Sequence, residues 1–296
     1  MRTVALVGRG RWGTNHLNVL QRLRSEGALN RLVVCDVDPD KLLDLEVDAT
    51  YLSLADVLSN ERLDAVAIVT PPDTHIELLE TAIEHGLPVL VEKPLSNDDN
   101  AMRHVLAQLP DHAQMMVGYI LRHHEGLKEL RRRTLAGGFG DVQSVAYYRT
   151  TQREKPMHAE PINTLAVHGL DVVAWLFSEP LMSMETQHVS TTPVSATVDF
   201  QTTQSQEAKV HVAWASAEEV RTVTVAGTTA RASFDFGTGV LEIQHSNGSN
   251  ECATFESDPL HKEWEAFLHR SKAGSPFVYP SAEALVDQAT WIARYG

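Results

Sequence analysis

The sequence predicts an α/β protein: an N-terminal, doubly wound parallel sheet followed by an α+β domain with a mostly antiparallel open sheet. Short apolar runs alternate with helical patterns through the first part of the chain, as repeated β-α units require. Residues 141–256 are instead rich in Val, Thr and aromatics, with turn signals at Gly237-Thr238-Gly239 and Asn247-Gly248. Helical patterns around His261–Arg270 and Ala282–Ala293 close the chain. A length of 296 residues suits two domains, divided here into 1–118 and 119–296.

The first strand is Val4-Ala5-Leu6-Val7, a continuous apolar run of the kind a strand buried on both faces shows. Gly8-Arg9-Gly10-Arg11-Trp12-Gly13 follows at once, and then a helical pattern carrying Leu17, Leu20 and Leu23. This places GxGxxG between a strand and a helix, the context in which it binds a dinucleotide. Gly8 permits the tight turn, Gly10 lets a pyrophosphate approach the backbone, and Gly13 lets helix and strand pack closely. Unpaired N–H groups at the helix start, beside Arg11 and Trp12, then face the phosphates. A glycine-rich turn without a ligand is the competing reading.

The second strand, Leu32-Val33-Val34-Cys35, ends in Asp36, where a carboxylate can accept the adenosine ribose hydroxyls and repel a 2′-phosphate. NAD is therefore favoured over NADP. Asp38-Pro39-Asp40 reads as a helix start. A helix around Lys41–Leu45 precedes Tyr51-Leu52-Ser53, and Leu54–Leu58 is helical again. Ala65–Val69 is another buried strand, stopped by Thr70-Pro71-Pro72, which leaves its C-terminal edge free for a ligand loop. A helix over His75–His85 leads to Pro88–Val91 and then Glu92-Lys93-Pro94.

Composition narrows the function classes. With 25 Lys and Arg against 39 Asp and Glu, the net charge of −14 disfavours a broad nucleic-acid or anionic-membrane surface. Arg131-Arg132-Arg133 follows Leu127 and Leu130 at helical spacing and reads as a solvated helix face rather than an anion site. No apolar run approaches the roughly 20 residues that cross a bilayer. Cys35 and Cys252 lack CxxC spacing and nearby metal ligands, so neither a disulfide scaffold nor a metal site is expected. A cytoplasmic location suits these features.

Gly8–His16, Thr70-Pro71-Pro72-Asp73-Thr74-His75 and Val91-Glu92-Lys93-Pro94-Leu95 together resemble the Gfo/Idh/MocA family of oxidoreductases. Met116-Val117-Gly118-Tyr119 is similar to that family's exit from its Rossmann domain, and Gly138–Val142 to the turn before its first large-sheet strand. Leu165–Asp171, with Trp175-Leu176-Phe177, resembles the helix bearing its active-site histidine. Ala213-Trp214, Arg221 and Val225-Ala226-Gly227 are most similar to its short sugar-nucleotide 3-dehydrogenases, which act on UDP-N-acetylglucosamine-type substrates. The resemblance implies a sugar or sugar-nucleotide substrate, a cis Lys93–Pro94 bond and a homodimer or homotetramer built on the second sheet. It also implies cofactor contacts at Thr70, Pro71, His75, Glu92 and Lys93, beside Gly8, Gly10, Arg11, Trp12, Gly13 and Asp36.

Oxidising a secondary alcohol needs a hydride acceptor, a base, and stabilisation of alkoxide charge. Lys93 is the expected source of the last, and His168, with an ordinary pKa of about 6.5, the expected base. A hydrogen-bonded core histidine is the alternative for His168. Asp171, three residues on, can orient the histidine, bind a sugar hydroxyl, or serve only as a helix charge. Tyr119, Arg122, His123 and His124 fall where the resemblance places substrate contacts, or serve surface roles. Most catalytic members of the family carry an aspartate four residues before the histidine; here that position is Thr164, and Gly169 replaces a frequent acidic residue. An NADP-linked ketosugar, carbonyl or imine reductase, and a silent dinucleotide-sensing regulator, are therefore rival functions.

Overall fold

The apolar runs of the N-terminal half form one parallel sheet in the computed structural model, which describes residues 2–157, 159–256 and 258–296. Its strands are β1 (Thr3–Val7), β2 (Arg31–Cys35), β3 (Ala49–Tyr51), β4 (Ala65–Ile68), β5 (Val89–Val91) and β6 (Gln114–Val117), with the chain's last strand, β15 (Phe277–Tyr279), at one edge. The order is β15-β6-β5-β4-β1-β2-β3, so β1 lies between β2 and β4 and the winding reverses there. That reversal opens a crevice at the C-terminal strand ends. Helices α1 (Arg11–Ser25), α2 (Leu54–Asn60), α3 (His75–Glu84) and α4 (Asp99–Ala107) connect the strands. Helix α1 buries Gly13, His16, Leu17, Leu20 and Leu23, one face at helical spacing.

The helix expected around Lys41–Leu45 is instead a short 3₁₀ turn, Pro39–Leu42. Asp38 does start it, accepting a hydrogen bond from Asp40 N, but Leu43 already has extended backbone. Ser53 is the N-cap of α2, accepting from Asp56 N.

The second unit holds the mostly antiparallel sheet. Its strands are β7 (Val142–Thr150), β8 (Glu185–Thr191), β9 (Ser195–Gln201), β10 (Glu207–Ala213), β11 (Val220–Gly227), β12 (Ala230–Asp235), β13 (Val240–His245) and β14 (Asn250–Thr254). They run in the order β14-β13-β12-β11-β7-β10-β9-β8, and only β7 and β10 pair in parallel. The two predicted turns are present, with Gly239 and Gly248 at positive φ. Helices α5 (Glu125–Leu135) and α6 (Val167–Phe177) belong to this unit, as does most of α8 (Ala282–Tyr295). Buried Tyr147, Val198, Val210 and Phe234 alternate with more exposed neighbours along the strands, which gives the sheet one apolar face.

A single cut at 118/119 does not describe the chain. The first unit runs through Tyr119 and takes back Leu260–Ala282; the second comprises Ile120–Pro259 and Glu283–Gly296. The physical cause is twofold. Helix α7 (Pro259–Lys272) buries Trp264 and Phe267, and β15 pairs with the edge of β6, Phe277 against Gln114. Among the described residues no helix is long and apolar enough to cross a membrane.

Gly169 shows how tightly α6 docks on its sheet. A Cβ there would stand 2.4 Å from Tyr147 Cδ1 and 2.7 Å from Val210 Cγ1. Any side chain, acidic or not, is excluded by packing. Gly169→Ala is expected to lose about 1–3 kcal/mol of stability, measured as a lower urea midpoint.

Candidate active site

The predicted residues fall into two groups, one in each unit. In the first, every one follows the C-terminal end of a parallel strand: Gly8 after β1, Asp36 after β2, Thr70 after β4, Glu92 and Lys93 after β5, Tyr119 after β6. Gly8 has φ +97°, and a Cβ on it would lie 2.6 Å from Val69 O. Gly13 presses on the same turn, where a Cβ would meet Gly8 O at 2.1 Å. Gly10 has open space above it, with no atom within 4 Å of a would-be Cβ. Helix α1 starts beside that space without an acidic side chain in its first turn, so its N–H groups and dipole suit an anion. Exposed Arg11 and Trp12 flank it. These features fit a dinucleotide pyrophosphate.

Asp36 is buried, and its Oδ2 accepts from Arg9 N at 2.7 Å while Oδ1 accepts from Asp38 N at 3.0 Å and faces Lys41 Nζ at 3.4 Å. Burial opposes its ionisation, but the two backbone donors and the Lys41 ammonium outweigh that and hold its carboxyl below the usual carboxylate range. A charged acceptor for ribose hydroxyls is thus in place. Thr70 and Pro71 line the exposed end of β4.

Glu92 is the hub between the glycine turn and Lys93. Its Oε1 accepts from the Trp12 indole and lies 3.0 Å from His16 Nε2, and its Oε2 accepts from Lys93 N at 3.1 Å. Lys93 itself is half-buried on the turn, and its bond to Pro94 is cis. His75, expected at the cofactor, is fully buried with Nδ1 2.9 Å from Pro94 O and Nε2 2.8 Å from Thr70 O. Both ring nitrogens face backbone carbonyls, so His75 ties two loops together rather than reaching a ligand. The carboxylate of Glu92 is likewise occupied by protein donors.

In the second unit the structure spends several expected substrate contacts internally. Arg122 forms a two-pronged pair with Asp171, Nε at 3.0 Å and Nη2 at 2.7 Å, and both side chains are buried. Its guanidinium also lies over the Trp175 ring, 5.6 Å from the centroid. His124 packs edge-on to Phe234 and Phe236, and burial, helped by Lys128, pushes its pKa down. It is a core histidine. His123 is buried as well. Thr164 turns its hydroxyl back to Glu160 O at 2.6 Å, within a π-helical turn, Ile162–Ala166, that leads into α6. Such turns mark strained, often functional, helix starts. His168 follows on the first turn of α6, largely buried, with Gln288 Nε2 donating to the carbonyl of its neighbour Val167.

The arginine run is not simply a solvated face. Arg132 is exposed and pairs with Glu129, but Arg131 donates to Trp175 O and Ser178 Oγ, capping the end of α6, and Arg133 reaches Glu251.

Residues 2–119 match the family model described as "Oxidoreductase family, NAD-binding Rossmann fold". Residues 2–119 are thus similar to the NAD-binding domains of the Gfo/Idh/MocA family. An inositol 2-dehydrogenase of Leifsonia xyli subsp. xyli is 28% identical over 194 residues, covering 62% of this chain and 56% of that protein. The chain thus matches little more than half the length of such curated relatives. Two solved structures share the fold along the chain. UDP-N-acetylglucosamine 3-dehydrogenase GnnA from Acidithiobacillus ferrooxidans has a TM-score of 0.81 at 24% identity, covering 99% of this chain and 96% of that one. KijD10, a 3-ketoreductase from Actinomadura kijaniata in complex with NADP and TDP-benzene, has a TM-score of 0.82 at 18% identity, with the same coverage of 99% and 96%.

Sequence reading of the first unit missed Trp264 and Glu263. Trp264 Nε1 donates to His16 Nδ1 at 3.1 Å, and Glu263 is wholly buried nearby. Burial first, and then the negative charge of Glu92, push the Glu263 carboxyl well above its ordinary 4.5. The apolar spacing of α7 was legible, but nothing in it named the first unit as its partner. Because the folded state keeps a proton that the unfolded state releases above 4.5, stability falls as pH rises from there towards the raised folded value. Glu263→Gln removes that loss. The unfolding free energy of Glu263→Gln relative to the parent is expected to shift in the variant's favour as pH rises from 4.5, by at most about 1.4 kcal/mol per pH unit, measured by urea unfolding across pH; a difference that does not change with pH contradicts the raised carboxyl.

Proposed function

We propose that this protein is an NAD-dependent oxidoreductase that moves a hydride between a nicotinamide cofactor and a ring hydroxyl or ketone of a sugar or sugar nucleotide. The observation that carries this is the row of groups at the C-terminal strand ends: the open backbone at Gly10, the ionised Asp36, and Lys93 on the turn after β5. The relatives support the substrate class, since one is named for inositol and one solved structure for UDP-N-acetylglucosamine. A polyhydroxylated ring is common to both.

When bound, the cofactor supplies the hydride acceptor or donor. The N–H groups of Gly10, Arg11 and Trp12 at the start of α1 hold its pyrophosphate, and Asp36 accepts its ribose hydroxyls. The Lys93 ammonium favours negative charge on the reacting oxygen, and the His168 imidazole takes or returns the hydroxyl proton. Thr164 contributes no charge, because a hydroxyl does not ionise at neutral pH, and its proton is donated to Glu160 O. Asp171 acts through the helix, paired to Arg122, rather than on the sugar.

A second reading is supported by the cations around Asp36. Lys41 Nζ lies 3.4 Å from its carboxylate and Arg9 Nη1 donates to Lys41 O, so a 2′-phosphate would meet two positive groups as well as one negative. With KijD10 solved in complex with NADP, this favours an NADP-linked ketosugar reductase as the alternative.

Purified protein given NAD and a panel of inositols and nucleotide sugars is expected to produce reduced nicotinamide. Lys93→Ala and His168→Ala are each expected to lower turnover by roughly 10²-fold or more with NAD binding retained. Turnover unchanged in Lys93→Ala would refute the assignment. Asp36→Ala is expected to erode the preference for NAD over NADP, read as the ratio of kcat/KM values for the two cofactors; a parent enzyme with higher kcat/KM for NADP selects the reductase reading instead.

A further inference from the structure

We infer that Trp264 and His16 are positioning residues for Lys93, acting through Glu92; this rests on the role proposed above for Lys93. The chain of bonds has a direction. An indole N–H can only donate, so the His16 nitrogen that receives it, Nδ1 at 3.1 Å, must be the ring's acceptor. The ring proton is therefore on Nε2, which donates to Glu92 Oε1 at 3.0 Å. Glu92 passes the constraint on, because its other oxygen accepts the backbone N–H of Lys93 at 3.1 Å. One N–H on helix α7 thus sets the tautomer of a histidine on α1, and that tautomer fixes the carboxylate on which the Lys93 turn hangs.

The surroundings leave little slack. His16 and Trp264 are fully buried. The imidazole stands edge-on between two indoles, 6.0 Å from Trp12 and 5.9 Å from Trp264 between centroids. Behind the carboxylate, Gly118 comes so close that a Cβ on it would lie 2.9 Å from Glu92 Oε1. Glu92 cannot back away from its donors, and His16 cannot turn over without losing both of its own bonds. Holding an outer group in this way is how supporting residues orient a reacting one.

A role in packing alone would need the shapes of these rings and not the indole N–H. Trp264→Phe keeps the aromatic bulk and removes that N–H. The expected result is loss of the single Nε2–H tautomer of His16, read from ¹⁵N chemical shifts of the histidine ring, which needs no turnover at all. Turnover should fall on the order of tenfold, in kcat, with substrate KM and NAD affinity within about twofold of the parent. His16→Gln, which retains a donor towards Glu92, should recover most of the kcat lost in His16→Leu. That pair decides the matter if Trp264→Phe fails to fold. An unchanged tautomer together with unchanged kcat overturns the inference, as does a fall of kcat, NAD affinity and melting temperature in step. Lys93→Ala, assayed alongside, separates the two levels: if it stays active the role of Lys93 fails, whereas an inactive Lys93→Ala beside fully active Trp264→Phe and His16→Leu refutes only the positioning.

Discussion

Placement of β1 between β2 and β4 is the constraint on which the first unit depends. Because all three run parallel, their C-terminal ends, and those of β5 and β6, emerge on one edge of the sheet. The glycine turn, Asp36, Thr70 and the Glu92-Lys93 turn are neighbours for that reason and not through any local sequence relation. A one-residue slip would send every side chain of a strand to the opposite face, so packing on those faces holds the register. The loops can therefore vary in chemistry while their anchors stay put.

Much of this was legible in the sequence. Val4–Val7 and Ala65–Ile68 are apolar at every position because both their faces are covered, and Gly8 after Val7 takes a positive φ that other residues disfavour. Asp36 was readable because it ends a strand at the right distance from those glycines. Where local pattern and tertiary demand agree, one residue suffices to place the next.

Internal partners of polar residues are harder to read. Arg122, Asp171 and His124 have the chemistry of sugar ligands, but whether a polar side chain faces a ligand or another side chain depends on packing between segments far apart in sequence. Arg122 and Asp171 found each other across 49 positions, and His124 found Phe234 and Phe236. Removing either partner of a buried pair leaves an uncompensated charge, so such residues are as constrained as ligands and carry the same signature in one sequence. Trp264 was invisible in another sense, because its only polar act is to donate one N–H to a residue 248 positions away.

The chain crosses between its units three times, after Tyr119, after Pro259 and after Ala282. Similarity to known families delimits the nucleotide-binding part at residue 119, yet the seventh strand and the helix that carries Trp264 are encoded more than 140 positions later. A fragment cut at the apparent boundary would be born with the β6 edge bare and the seat of α7 exposed, an invitation to self-association rather than a minimal working module. Synthesis order has the same consequence: on the ribosome, the first unit cannot close until Leu260–Ala282 have been made.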